Sequence, residues 1–274
     1  MRNLNKSLTD IAIVSDLSSA QLSKFAADAQ KLGKSLSAST LDVTNAALIY
    51  FQQGDNVLQS MEKAAITIKA ANASANSSAA EMSEYLTAIW NSYKVGSGEL
   101  ETYVDMMAAL GAKTASSMEE IATAMQKVAA TANTVGVGFD QMSSIISTVS
   151  SVTRESAESI GTSYKTILAR IGDLKLGDVV EDGVTVTLGS VSKELQKIGV
   201  NILDANGEMR DMGTVIEEIG AKWQGMNNAQ KAAVAQTIAG KRQYTQLMAL
   251  FENWDKYQNN MSITENSDGA LDEM

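Results

Sequence analysis

The sequence contains no cysteine, no proline and no histidine. Without cysteine there are no disulfides, thiolate metal sites or cysteine nucleophiles. Without histidine the commonest general base and transition-metal ligand are gone as well. Ordinary usage would place roughly a dozen prolines in a chain of this size. Proline breaks helix interiors, so its absence suits long uninterrupted helices. Aromatic residues make up only 5% of the chain. No run approaches the ~18 uncharged apolar residues of a spanning helix. The opening Met1–Lys6 leads into an amphipathic segment and not an apolar h-region, so no secretory signal is expected there.

What is present is acidic and mostly amphipathic. A net charge of −10 over 274 residues disfavours broad binding to nucleic acid or to anionic membranes. A hydrophobic content of 45% is enough to bury a core. From Ser117 to Val149 the apolar residues Ile121, Met125, Val128, Phe139, Met142, Ile145 and Val149 recur three or four apart. That is the spacing of two amphipathic helices. Ser117 and Glu120 form a capping box at the first helix start. Gly136 and Gly138 turn the chain between the two, so the unit is a helical hairpin.

The hairpin recurs. Helix-start pairs fall at Ser39/Asp42, Ser78/Glu81, Ser117/Glu120 and Ser156/Ser159, a constant spacing of 39 residues. Val95-Gly96-Ser97-Gly98 precedes Val135-Gly136-Val137-Gly138 by 40. These registers predict a mainly α fold, an array or bundle of antiparallel α-hairpins. The period changes after Gly172. Val179–Glu181 and Val184–Leu188 flank Asp182-Gly183, a type I′ hairpin signal. Ile202-Leu203 and Met209-Arg210 flank Asn206-Gly207 as a second. Helices are expected again at Ser190–Ile198, Val215–Trp223, Asn228–Ala239 and Lys241–Trp254. The expected organisation is an array over 1–172, a β-hairpin-containing insert over 173–212, C-terminal helices over 213–260 and an acidic disordered tail over 261–274.

The short motifs that could carry chemistry fail on inspection. Gly240-Lys241-Arg242 lacks the phosphate loop's earlier glycine and its Ser/Thr, having Ala235 and Arg242 at those positions. Gly96-x-Gly98 and Gly136-x-Gly138 lack the third glycine of a dinucleotide loop. A calcium loop registered on Gly207 would put Ile202 and Gly213 at its end positions. Ser190-x-x-Lys193 has acylase spacing but neither companion motif, and reads as a helix cap. Paired acids such as Glu119-Glu120 and Glu217-Glu218 sit where they complement helix dipoles. No catalytic residue, cofactor or metal is expected.

Several segments look familiar together. Residues 158–171, with Gly161, Lys165, Leu168 and Arg170 in a Gly-x-x-x-Lys-x-x-Leu-x-Arg pattern, resemble the core region of phage tail tape measure proteins. The resemblance continues through Gly199, through Gly207 and Arg210, through Trp223, and into Gly240, Lys241 and Arg242. It covers about residues 10 to 258, and departs from the family at the Thr/Val hairpin around Asp182-Gly183. It implies a structural protein of a phage or prophage tail that occupies the tube lumen, sets tail length and leaves at DNA ejection. Its implied partners are tail-tube, tail-tip or baseplate proteins, assembly chaperones and further copies of itself, with membrane contact confined to ejection. Its implied locations are the virion and, during assembly, the host cytoplasm. The alternatives are a helical-repeat interaction scaffold and a carboxylate-based cell-wall hydrolase.

Overall fold

A computed structural model describes residues 2–74, 77–93, 97–181 and 183–273. Nine helices form the first two-thirds: α1 (Arg2–Ser15), α2 (Ser19–Ser35), α3 (Thr40–Gln52), α4 (Val57–Ala73), α5 (Ala79–Tyr93), α6 (Ser97–Lys113), α7 (Met118–Thr134), α8 (Phe139–Thr153) and α9 (Ala157–Leu176). The odd-numbered helices pack in series, α1 on α3, then α5, α7 and α9, and the even-numbered ones form a second series behind them. The fold is therefore mainly α, a two-layer stack of helical hairpins.

The 39-residue register explains the stack. Ser39, Ser78 and Ser117 each accept from the third following amide at 3.1–3.2 Å, and Asp42, Glu81 and Glu120 accept the serine amide in return. Ser156 accepts from Ser159 N at 3.3 Å, but Ser159 turns its hydroxyl to Glu155 and does not reciprocate. Four residues after each serine stand Val43, Met82, Ile121 and Ile160, all 0% exposed. Eight after stand Ala47, Leu86, Met125 and Tyr164, also buried. A position that recurs in sequence thus recurs on a buried face, Val43 and Ala47 in a core shared with α1, α2 and α4, and the later pairs in a second core that continues into the last third. Gly136, at φ +73°, ends α7 in a conformation that side chains resist, and Gly138 is the N-cap of α8. The related turn at Lys94–Gly96 lies outside the described residues. Because α6 begins at Ser97, Gly98 is inside that helix and not in a turn.

In the last third the chain forms β1 (Val179–Glu181), β2 (Val184–Val186), α10 (Leu188–Gln196), α11 (Met212–Trp223), α12 (Asn228–Glu252) and α13 (Trp254–Glu265). The strands pair antiparallel, Glu181 opposite Val184, with Gly183 at φ +77°. Asp182 of the expected turn lies outside the described residues. The second expected hairpin reduces to one bridge, Leu203 opposite Met209, because the Asp204 carboxylate accepts the amides of Asn206 and Glu208 and closes a tight loop. Gly172 does not stop α9: its surroundings are open enough for ordinary helix, and the stop is Gly177. Thr187, not Ser190, caps α10, and Ser190 is the reciprocal partner.

The acidic stretch after Asn260 departs from the expectation of disorder. It is helical to Glu265, and α13 packs on α6 and α8. Asn260 donates to Thr148 Oγ1 at 2.9 Å, and Tyr257 is buried. Beyond the helix, the buried Asp105 carboxylate accepts Gly269 N at 3.0 Å and Leu271 N at 2.8 Å, while Asp272 meets Lys69 at 2.6 Å. Charge composition predicts repulsion. Backbone amides given to one carboxylate overcome it, since a buried carboxylate with two donors is satisfied.

Candidate functional site

The motif residues identified in sequence collect where the hairpin stack meets the last third. Gly161 lies in the second turn of α9, and a Cβ there would stand 2.5 Å from Ala124 O and 2.9 Å from its Cα. Only glycine lets α9 and α7 approach this closely. One turn on, the buried Tyr164 donates its hydroxyl to Gln246 O at 3.0 Å, and burial pushes its phenol above the ordinary value. Leu168 is buried below it.

Arg170 joins the two halves. It is 7% exposed, and its Nη1 donates to Thr237 O at 2.6 Å and Ile238 O at 3.0 Å. Those carbonyls need a donor because α12 breaks at Gly240, whose φ of 71° and ψ of 169° are not helical. The break frees the last carbonyls of the segment ending at Ala239, and such groups are satisfied from outside the helix or cost energy. One guanidinium nitrogen, Nη1, supplies both donors. The expected division of this region at Gly240 into two helical segments is therefore present, held by a residue 70 positions upstream.

Lys241 and Arg242 follow the break on the exposed side. With Thr166, Arg170, Gly240 and Gln243 they line a recess of about 300 Å³. It is a cationic recess in an acidic chain, but the groups that line it offer no carboxylate or imidazole base beside a nucleophile. Lys165 is exposed on α9.

The remaining motif residues form a second cluster. Gly199, at φ +71°, follows α10, and Lys222 donates to its carbonyl at 2.7 Å. Arg210 grips Glu218 with two bonds, at 2.5 and 3.1 Å, and donates to Asn201 O at 2.6 Å. This fork holds the Glu218 carboxyl below its ordinary value. Gly207, at φ +81°, turns the short loop. Trp223 is fully buried, its ring 4.8 Å from that of Phe251. α10 and α11 both pack on α12, so the two clusters flank one helix.

Sequence reasoning missed Gln246, Glu155 and Asp105. Gln246 Nε2 donates to Glu155 at 2.7 Å, tying α12 to the start of α9. No local pattern marks these residues, because each acts on a partner more than 90 positions away. Among the described residues no group of three or more acidic or other ligating side chains could hold a metal, and no helix is long and apolar enough to cross a membrane.

The arrangement is a stacked array of helical hairpins joined to the last third through contacts at helix ends. The family described as phage-related minor tail protein matches residues 26–240, and the chain belongs to that family. The match spans both the array and the Arg170–Gly240 joint. It places the chain among structural, virion-associated proteins of the phage tail. No solved structure matches the chain.

Proposed function

We propose that this chain is a folded segment of a tape measure protein, occupying the tail tube, setting tail length during assembly and leaving at DNA ejection. The observation that carries this reading is the 39-residue hairpin repeat, whose four serine caps keep register along the stack. A protein built of equal units converts copy number into length. Tail-tube, tail-tip or baseplate proteins, assembly chaperones and other copies of the chain are its partners. The host cytoplasm is its place during assembly and the tail lumen its place in the virion. No turnover chemistry is involved, and the acidity keeps it from clinging to DNA that passes the same channel.

In-frame deletion of residues 78–116 in the phage or prophage gene tests the ruler. Tails measured by electron microscopy shorten by about 60 Å if the chain runs as extended helix, at ~1.5 Å per residue. They shorten by only about 10 Å, one interhelical spacing, if the hairpins stay stacked. Tails of unchanged length would end the ruler reading and leave the minor tail assignment standing.

A further inference from the structure

Among the described residues, the buried apolar side chains fall into two cores that do not merge. One gathers Ile11 of α1, Phe25 and Ala29 of α2, Val43 and Phe51 of α3 and Ile68 of α4. The other takes in α5 to α13. Only α4 gives buried residues to both: Ala64 and Ile68 to the first, Ile66 and Ala70 to the second. Between the cores lies a layer of buried polar side chains. Tyr50 is 1% exposed yet belongs to neither core. Its hydroxyl shares a 2.7 Å hydrogen bond with Thr67 of α4, and Ser83 and Thr87 of α5 turn their hydroxyls toward it. Ser60, Lys63 and Thr67 stand three and four apart on α4, and all three are buried. Lys63 meets Asp55 at 2.7 Å and lies 4.0 Å from the centre of the Trp90 ring of α5. The hydroxyls of Ser60 and Thr87 make no hydrogen bond.

A polar layer holds helices together less firmly than apolar packing does. A buried ion pair gains little over the cost of desolvating its charges, and an unpartnered hydroxyl is a net penalty. The chain crosses the layer once, between α4 and α5, so α1–α4 are continuous in sequence and can leave together. Polar ties outside the layer are exposed, as in Asn91 to Gln53 at 2.9 Å and Lys69 to Asp272 at 2.6 Å. Exposed pairs of this kind add little. On their own, α1–α4 keep a core whose nine buried residues include four alanines. A core that small holds a unit of this length only weakly.

We propose that the chain comes apart at this layer: α1–α4 leave α5 and unfold as one block, while the second core stays intact. The block is the low-stability unit of the molecule, and the polar layer sets where opening stops. The proposal stands on the two cores and the layer between them, and holds or fails independently of the ruler function.

Hydrogen exchange of the full 274-residue chain across a urea series, read by mass spectrometry, tests it. Amides of α2, α3 and α4 lose protection together, at urea concentrations where α7 to α9 remain protected. Thr87→Val removes an unpartnered hydroxyl from the α5 side of the layer and keeps its shape. It raises the protection of α2 to α4, where nothing has been changed, by about tenfold. The protection of α7 to α9 stays as it was, because position 87 faces water once the block has left. Phe25→Ala, inside the first core, strips the block of protection by about a hundredfold or more and spares α7 to α9. A single step for the whole chain, a Thr87→Val block that exchanges as in the wild type, or a Phe25→Ala variant that loses protection throughout would each overturn the proposal.

Discussion

The hairpin array and the C-terminal third solve the same problem, burying amphipathic helices, by opposite means. In the array the capping contacts are short in sequence and repeated. Serine caps recur every 39 residues, and the apolar residues four and eight positions after each are buried. In the last third the decisive contacts are single and remote: Arg170 to Thr237 and Ile238, Tyr164 to Gln246, Asp105 to Gly269 and Leu271. A repeated contact can be lost at one position and survive at the others. A single one cannot. Damage should therefore stay local in the array and spread in the C-terminal third.

The sharpest break is Arg170→Met. The substitution keeps the buried stem but leaves the carbonyls of Thr237 and Ile238 without their charged donor. Two charge-assisted bonds lost in a buried place cost about 3 kcal/mol. For a chain this long that lowers the melting temperature by about 5–10 °C. Hydrogen exchange should show α12 and α13 losing protection while α3 to α5 keep theirs. Uniform loss across the molecule would mean that the two regions are one cooperative unit. Arg170→Lys should rescue in part, since both bonds come from one nitrogen and an ammonium carries three donors on a shorter stem.

Smaller effects come from the caps. Ser39→Ala, Ser78→Ala and Ser117→Ala each remove a capping box of the same geometry, so each should cost about 1 kcal/mol. In pairs the costs should add, because the boxes share no partner. Ser156→Ala should cost less than the others, as Ser159 does not complete the box. Urea titration of the four single variants and one double variant checks this. Unequal costs among the first three would show that the register is a coincidence of sequence and not a repeat of structure.

The same contrast explains what could be read from the chain in advance. Serine caps, glycine breaks at Gly136 and Gly240 and the apolar stripes are local signals, since a helix end needs its cap within three residues. They placed most helices of the array and the break in α12. The identity of Arg170 as a motif residue was visible, but its partners were not, because they lie 67 and 68 positions away. The ordering of the acidic terminus was invisible for a related reason. Composition counts side-chain charges, whereas Asp105 binds the terminus through backbone amides that every residue carries. Gly172 misled in the opposite direction: its backbone stays helical, and α9 runs on to Gly177.

Acid should separate the two regions with the smallest force. In the last third, the amides of Glu208 and Asn206 hold the Asp204 carboxyl below its ordinary 3.8, and the Arg210 fork holds Glu218 below its ordinary 4.5. In the array, the Ser78 amide and hydroxyl hold Glu81 below 4.5. A carboxyl whose value falls on folding contributes stability above its unfolded value and loses that contribution as pH drops through the folded one. All three groups are solvent-accessible, so each effect is modest and screened by salt. Protonating Glu81 weakens one cap among several. Protonating Asp204 and Glu218 loosens the loop and the fork that position α11, which have no duplicates. As pH falls below the ordinary carboxylate values, hydrogen exchange should therefore rise first in residues 201–223 and later in α5. Glu218→Gln should bring that early rise to neutral pH, whereas Glu81→Gln should leave residues 201–223 as protected as in the wild-type chain. If α5 opened first, the claim that repetition protects the array would fail, because its single accessible cap would then outweigh two contacts that have no substitute.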